Sequence, residues 1–161
     1  MENILDKESV QRVNKVLKDF DSNLKIQILD RSARTAIDAA NSLSCEVGAI
    51  VKSLLLRSDD NFILCLVSGD KRCSLNKIKK IINKKDVSMA NAEQVKKITG
   101  YTIGGVSPVA HANSPTRIFI DKNLNKFDLI YAAAGHPYVV FEITFDSLCS
   151  ITKGEISDIV E

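Results

Sequence analysis

The spacing of apolar residues along the chain predicts helices at five places. Near the N-terminus, apolar side chains recur at the three- or four-residue interval of a helix that buries one face: Val10, Val13, Leu17 and Phe20. Helices are also expected after residues suited to cap a helix start: Thr35, Ser74 and Asn91. Gly100 is expected to end the helix that Asn91 begins, and a last helix starts near Thr144.

Other segments have the pattern of strands. Two long apolar runs, Val47 to Leu56 and Phe62 to Val67, are separated by the turn-forming sequence Ser58-Asp59-Asp60-Asn61, which predicts a hairpin. Shorter strands are expected at residues 24–29, 116–120, 129–133 and 139–143. Strands therefore alternate with helices of modest length, which is typical of an α/β or α+β fold around a mixed, curved sheet.

Length and composition are those of one ordinary globular domain spanning residues 1–161. The chain has 161 residues, of which 45% are hydrophobic and 26% charged, and it contains no internal repeat. No apolar run reaches the roughly 20 residues that a membrane span needs, and the N-terminus does not resemble a secretory signal. Four cysteines without a C-x-x-C pair are expected to be reduced thiols, so we predict a cytoplasmic protein without a membrane partner.

The charge balance gives little indication of a partner. There are 22 Lys and Arg residues against 20 Asp and Glu residues, for a net charge of +2. A basic run does occur at Lys77, Lys79, Lys80, Lys84 and Lys85. Such a run is usually a solvated helix face, although it would also suit weak contact with nucleic-acid phosphates.

Lys52 is the first candidate functional residue, because it interrupts an apolar strand. On a strand it shares a face with Ile50, Leu54 and Leu56. An ammonium group in such a place needs an anionic partner or a polar cleft, since burying it alone is costly. The alternative is an edge-strand lysine whose stem covers apolar surface while its ammonium group reaches water. The pattern alone leaves both open.

A glycine-rich loop is the second candidate. Residues 101–108 read Tyr-Thr-Ile-Gly-Gly-Val-Ser-Pro, and the paired glycines allow a sharp turn and a close approach to a ligand. Successive N–H groups in such a loop can bind an oxyanion or a phosphate. A plain turn between a helix and a strand explains the same residues.

The third candidate is His136, which lies between Gly135 and Pro137 at the end of an apolar strand. A histidine there suits a cleft, where it would donate a hydrogen bond or exchange a proton near neutral pH. It would equally suit a loop in which its ring is bonded to the backbone. Motifs for a zinc protease, a G-x-S-x-G serine hydrolase and a P-loop are all absent, so no metal and no cofactor are expected.

These three segments together resemble the YbaK and prolyl-tRNA synthetase editing-domain family of aminoacyl-tRNA deacylases. The resemblance rests on Lys52 in its apolar strand, on Thr99-Gly100-Tyr101 leading to the loop 104–108, and on residues 134–137, all in the family's order from about Thr35 onward. It implies a mixed sheet closing toward a barrel and flanked by helices. It also implies metal-free hydrolysis of an amino acid wrongly esterified to the 3′ end of a tRNA.

The resemblance also implies roles for individual residues. Lys52 matches the family's essential lysine, and the loop matches its G-x-x-x-P motif, so the expected catalytic residues are Lys52, Gly104, Gly105, Val106, Ser107 and Pro108. Gly135, His136 and Thr35 are expected to bind substrate. The expected partners are the acceptor end of an aminoacyl-tRNA and, as a further candidate, an aminoacyl-tRNA synthetase.

The substrate amino acid is expected to be small: Ala, Ser, Thr or Cys. Relatives specific for cysteinyl-tRNA carry a serine and an acid where this chain has Ala133 and Val140, which speaks against a cysteine-only specificity. Two other functions stay open from the sequence. One is a tRNA- or synthetase-binding module without catalysis, and the other is a hydrolase of a different small acyl ester.

Overall fold

The computed structural model describes residues 3–161, which fold into five α-helices and eight strands. The helices are α1 (Glu8–Phe20), α2 (Ala36–Leu43), α3 (Leu75–Ile82), α4 (Ala92–Thr99) and α5 (Phe145–Thr152). The strands are β1 (Ile26–Ile28), β2 (Ile50–Ser58), β3 (Asn61–Ser68), β4 (Ser88–Met89), β5 (Arg117–Asp121), β6 (Ile130–His136), β7 (Val139–Ile143) and β8 (Glu155–Ser157).

The helices begin at the capping residues that the sequence predicts. The hydroxyl of Thr35 accepts a hydrogen bond from the Asp38 N–H at 3.1 Å, and that of Ser74 accepts one from the Lys77 N–H at 3.2 Å. Asn91 and Gln94 form a complete capping box at the start of α4. Gly100 ends α4 with φ +82°, a left-handed conformation that glycine adopts without strain.

The strands form one mixed sheet, as the sequence predicts. Its order is β1-β7-β6-β2-β3-β5-β8, with β4 paired to the edge of β2. The β2–β6, β3–β5 and β5–β8 pairs are parallel, and the others are antiparallel. Within residues 3–161 the terminal strands β1 and β8 do not pair, so the sheet stays open rather than closing into a barrel.

Several strand limits differ from those expected. The strand predicted from Val47 begins at Ile50, because residues 47–49 form a 3-10 turn, and β1 keeps only three residues. The strand expected at residues 129–133 continues to His136 through an irregular pairing with β7. Strands β4 and β8 were not predicted from the sequence, because two or three residues are too few to show alternation.

Strand β3 lies at the centre of the core, because both of its faces are covered. Leu64 and Leu66 pack into a cluster with α1, whereas Ile63, Cys65 and Val67 pack into a second cluster with Ile78 of α3. Burial on both faces explains why the run Phe62 to Val67 is continuously apolar instead of alternating. A third cluster, under α2, includes Ala39, Ala40 and Ile50.

Two expectations from composition concern the thiols and the helices. All four cysteines are free thiols, as expected. None of the helices within residues 3–161 is long and apolar enough to cross a membrane.

Candidate active site

A cavity of about 440 Å³ opens where strands β2 and β6 separate. These strands pair only at Ile50–Tyr131 and Val51–Ala132. Beyond this point β6 continues beside β7, and β2 next pairs with β4 at Leu56 and Arg57. The cavity lies beside the unpaired stretch of β2, and Lys52 and Gly104 are among its lining residues. Two of the three sequence motifs therefore meet at one cavity.

The cavity wall is apolar and made largely of small side chains. Six alanines line it: Ala33, Ala36, Ala39, Ala90, Ala132 and Ala133. Three large apolar side chains that are among the most exposed in the protein also line it: Ile37 (61% exposed), Met89 (51%) and Ile103 (63%). An apolar pocket with a few polar groups is the usual form of a small-molecule site.

Lys52 reaches the cavity from the middle of β2 and is half-buried. Its Nζ donates a hydrogen bond to the carbonyl of Lys71, in the turn after β3. No carboxylate in the described part of the chain forms an ion pair with it. Burial lowers the pKa of Lys52, and the nearby charge of Asp70 acts in the opposite direction. Lys52 therefore lies at a mostly apolar cavity, with its ammonium group bonded to a backbone carbonyl rather than to a carboxylate.

The glycine-rich loop contributes backbone to the same cavity. Gly104 has φ +94°, which strains any other residue, and it lines the cavity together with Val106. The N–H of Gly105 already donates to the Thr102 carbonyl at 3.0 Å, so that amide is used within the loop. Ser107 and Pro108 are buried and are not among the lining residues, so the structure does not place their side chains at the cavity.

The side chains of Tyr101 and His111 contact the backbone of the loop and of the residues that follow it. The Tyr101 hydroxyl is within hydrogen-bond distance of the carbonyls of Val109 and Ala110, at 2.9 and 2.7 Å. His111 Nε2 lies 2.7 Å from the Ser107 carbonyl, so this nitrogen carries the proton. Burial lowers the pKa of His111, and its bond to Ser107 acts in the opposite direction.

Helix α1 braces both the loop and the end of β6, a role that the sequence did not reveal. Arg12 Nε donates to the Ala110 carbonyl at 2.8 Å, and its guanidinium lies 4.9 Å from the centre of the Tyr101 ring. The Ser9 hydroxyl donates to the Gly135 carbonyl at 2.8 Å. Gly135 has φ +88°, and a side chain there would collide with the Ser9 backbone.

His136 is close to the loop but does not line the cavity. It is half-buried at the end of β6, where its Nδ1 accepts a hydrogen bond from the Tyr138 N–H at 3.1 Å. Burial lowers the pKa of His136, and the charge of Lys7 lowers it further. Its backbone touches Gly105, so the second and third motifs also lie side by side.

Two residues before α2 lie at the mouth of the cavity. Thr35 lines it, although its hydroxyl is also the N-cap of α2. Arg34 lines it too, and its side-chain carbons pack against Gly104. Arg34 was not predicted from the sequence, because an exposed arginine before a helix has no distinguishing pattern. Within residues 3–161, no group of three potential ligand side chains is placed to hold a metal ion.

Comparisons with known proteins point to one family. Residues 30–150 match the model of the aminoacyl-tRNA editing domain. A solved structure described as a candidate trans-editing enzyme for prolyl tRNA synthetase has a similar fold, with a TM-score of 0.89 and 35% identity. That similarity covers 96% of this chain and 98% of the other.

Two curated relatives show how far the sequence similarity extends. The proline–tRNA ligase of Caldicellulosiruptor saccharolyticus is 32% identical over 83 residues, which is 52% of this chain. This chain covers only 14% of that ligase. The uncharacterized protein YwhH of Bacillus subtilis is 29% identical over 128 residues, covering 79% of this chain and 80% of YwhH.

Proposed function

This chain belongs to the aminoacyl-tRNA editing domain family, and we propose on that basis that it hydrolyses the ester bond of mischarged aminoacyl-tRNA in trans. The observation that carries the proposal is the cavity at the β2–β6 separation. Lys52 and the loop residues Gly104 and Val106 all line it. A cation and a glycine-rich backbone beside a small apolar pocket suit an aminoacyl ester whose other end is a nucleotide.

The substrate is an activated ester, so positioning contributes more than strong acid–base groups. Lys52 acts as a compact positive charge that binds the phosphate or carbonyl region of the terminal nucleotide. The N–H groups of Gly104 and Val106 are the candidates to stabilise the tetrahedral oxyanion, because the Gly105 N–H is engaged within the loop. Ser107 and Pro108 keep those groups in place.

Water attacks the ester carbonyl, and the tRNA's own 2′-hydroxyl helps to activate it, as the family resemblance implies. The products are the free amino acid and uncharged tRNA. His136 and Gly135 lie beside the loop and outside the cavity, which suits contact with the ribose or the base rather than the amino acid. Thr35 and Arg34 at the mouth suit the sugar–phosphate backbone.

The amino acid removed is small, and the tRNA is that of proline. The wall of alanines and aliphatic side chains favours alanine, with serine, threonine and cysteine as closely similar alternatives. An apolar pocket rejects an added hydroxyl only weakly, by a factor of about 100. The tRNA is inferred from the relatives named for prolyl-tRNA synthesis. The synthetase is a candidate partner, and the cytoplasm, where tRNA is charged, is the proposed location.

The test is a deacylation assay on tRNA charged separately with Ala, Ser, Thr, Cys and Pro, each on its cognate tRNA and on tRNA for proline. The wild type is compared with Lys52→Ala and with the control Lys15→Ala, which changes an exposed lysine on α1. We expect rapid loss of one or two small amino acids from tRNA for proline. We expect Lys52→Ala to abolish this activity and Lys15→Ala to retain it.

The assay also separates the two alternative functions. Tight tRNA binding without turnover of any ester would identify a binding module and overturn the proposed hydrolysis. Equal hydrolysis of simple aminoacyl esters without tRNA would instead identify a general small-ester hydrolase. Full activity in Lys52→Ala would remove the proposed role of this lysine.

A further inference from the structure

The middle of β2 presents unpaired backbone to the cavity. On one side β2 pairs with β3 along its whole length, from Val51–Ser68 to Ser58–Asn61. On the other side it pairs with β6 up to Val51 and with β4 from Leu56, and the Leu55 carbonyl accepts the Ala90 N–H at 3.0 Å. In an antiparallel pair, backbone groups two residues apart point the same way. The N–H and C=O of Ser53 therefore face the gap that forms the cavity.

The side chain of Ser53 is also without a partner. Its hydroxyl oxygen is buried and makes no hydrogen bond. Within residues 3–161, three other serine hydroxyls share this property, those of Ser32, Ser42 and Ser58, but Ser53 alone among the four lines the cavity. A buried hydroxyl without a partner is unfavourable, so its presence at a ligand pocket calls for a ligand atom.

The charged residues around the cavity limit which ligand group can bond to the Ser53 hydroxyl. The described lining residues include Lys52 and Arg34 but no aspartate or glutamate, so a positively charged group would find no carboxylate there. The amino group of an aminoacyl ester must then be held by neutral acceptors. Three of the described lining residues carry a hydroxyl: Thr35, which already caps α2, Tyr131 and Ser53. Among these three, Ser53 alone has a buried hydroxyl oxygen without a partner.

We propose that Ser53 recognises the α-amino group of the substrate, accepting its N–H groups at the side-chain hydroxyl and at the backbone carbonyl. This inference rests on the proposed function, because it assigns a role at the same cavity. It makes Ser53 a specificity residue that distinguishes an α-aminoacyl ester from an acyl ester of the same size. The apolar wall would then contact the side chain of the substrate amino acid, and Ser53 would bind its amino group.

The test compares Ser53→Ala with Ser58→Ala. Ser58 is a matched control, because it is on the same strand with a buried, unpartnered hydroxyl but does not line the cavity. The substrates are tRNA carrying alanine and tRNA carrying propionate, which lacks only the amino group. We expect Ser53→Ala to lower kcat/KM for the alanyl ester by about three- to tenfold, the range of one lost hydrogen bond, and to leave the propionyl ester unchanged. Ser58→Ala should match the wild type on both.

A binding measurement keeps the inference testable if turnover fails. The probes are 3′-deoxyadenosine derivatives that carry alanine or propionate through a 3′-amide, which resists hydrolysis. The wild type should bind the alanyl probe several-fold more tightly, and Ser53→Ala should lose this preference. Equal effects of Ser53→Ala on the two acyl groups, or no effect on either, would overturn the inference. Absence of turnover with the binding preference intact would overturn only the proposed hydrolysis.

Discussion

Gly105 rests directly against the backbone of His136. A β-carbon at position 105 would lie 3.0 Å from both the nitrogen and the Cα of His136. This contact joins the glycine-rich loop to the end of β6, two segments that are about thirty residues apart in the sequence. The loop can take its position beside the cavity only because residue 105 lacks a side chain.

Gly105→Ala should therefore move the loop and lower activity. The neighbouring atoms are backbone, which cannot rotate away, so we expect overpacking of about 1–3 kcal/mol and at least a tenfold loss of kcat/KM. Gly154→Ala is the control, because its β-carbon would press on the Ile120 side chain, which does not line the cavity. Thermal unfolding and deacylation rates should be measured on both variants. The prediction would be contradicted if each variant lost activity only in proportion to the fraction of its molecules that is unfolded.

Lys52→Met should separate activity from stability. Burial lowers the pKa of Lys52, and its ammonium group bonds to the Lys71 carbonyl but, within residues 3–161, forms no ion pair with a carboxylate, so no salt bridge to Lys52 stabilises the fold. We expect deacylation to fall by about 100-fold or more, as for loss of a transition-state donor, with an unchanged or higher free energy of unfolding. Urea denaturation and rate measurements check this. A strongly destabilised Lys52→Met would show that the lysine is structural.

Arg12→Ala should weaken the loop from a distance. The side chain donates to the Ala110 carbonyl and covers the Tyr101 ring, so its loss should cost about 1–3 kcal/mol of unfolding free energy. We expect a lower kcat as well, because Tyr101 and Ala110 flank the loop. Lys15→Ala on the same helix is the control, since its ion pair with Asp19 is exposed and contributes about 0.3–0.5 kcal/mol. Equal effects of the two variants would exclude a bracing role for Arg12.

Stability should fall on mild acidification because of His111. Burial lowers its pKa in the folded protein, so below the unfolded value of about 6.5 the unfolded chain binds the proton more readily. The contribution of neutral His111 to the free energy of unfolding is therefore complete above about pH 6.5, the unfolded pKa. It is lost as the pH falls below that value, at a rate of at most about 1.4 kcal/mol per pH unit. His111→Gln should flatten the slope of unfolding free energy between pH 7 and 5. If the slope stayed unchanged, the pH dependence of stability would come from other groups. One such group is His136, because burial also lowers its pKa.

The exposed apolar side chains at the cavity should serve binding rather than folding. Ile103→Ser should change the free energy of unfolding by no more than about 0.5 kcal/mol, because the side chain is 63% exposed. We expect KM to rise by about three- to tenfold, since covering this side chain with substrate removes apolar area from water. Ile156→Ser, also exposed but not lining the cavity, is the control. A KM unchanged by Ile103→Ser would place the substrate elsewhere.

Local interactions made much of the fold predictable. The caps at Thr35, Ser74 and Asn91 act on N–H groups three residues away, and the hairpin between β2 and β3 is set by its two-residue turn. The motifs around Lys52, Gly104 and His136 were likewise visible, and the family that they indicate is the one whose model matches the chain. Each of these signals lies within a few consecutive residues.

Contacts between distant segments were not predictable in the same way. Arg12 reaches a carbonyl 98 residues away, and Ser9 holds one 126 residues away, yet nothing in their sequence neighbourhoods indicates either bond. The open stretch of β2 at Ser53 depends on where β6 and β4 stop pairing.

The sequence by itself therefore determined the helix starts, the central strands and the candidate residues for the chemistry. Only the tertiary structure decided that the loop rests on His136, that α1 braces both, and that Ser53 faces the cavity. The physical reason is range: capping and periodicity depend on neighbours along the chain. The shape of a cavity depends instead on how whole elements pack, and many sequences with the same local signals would pack differently.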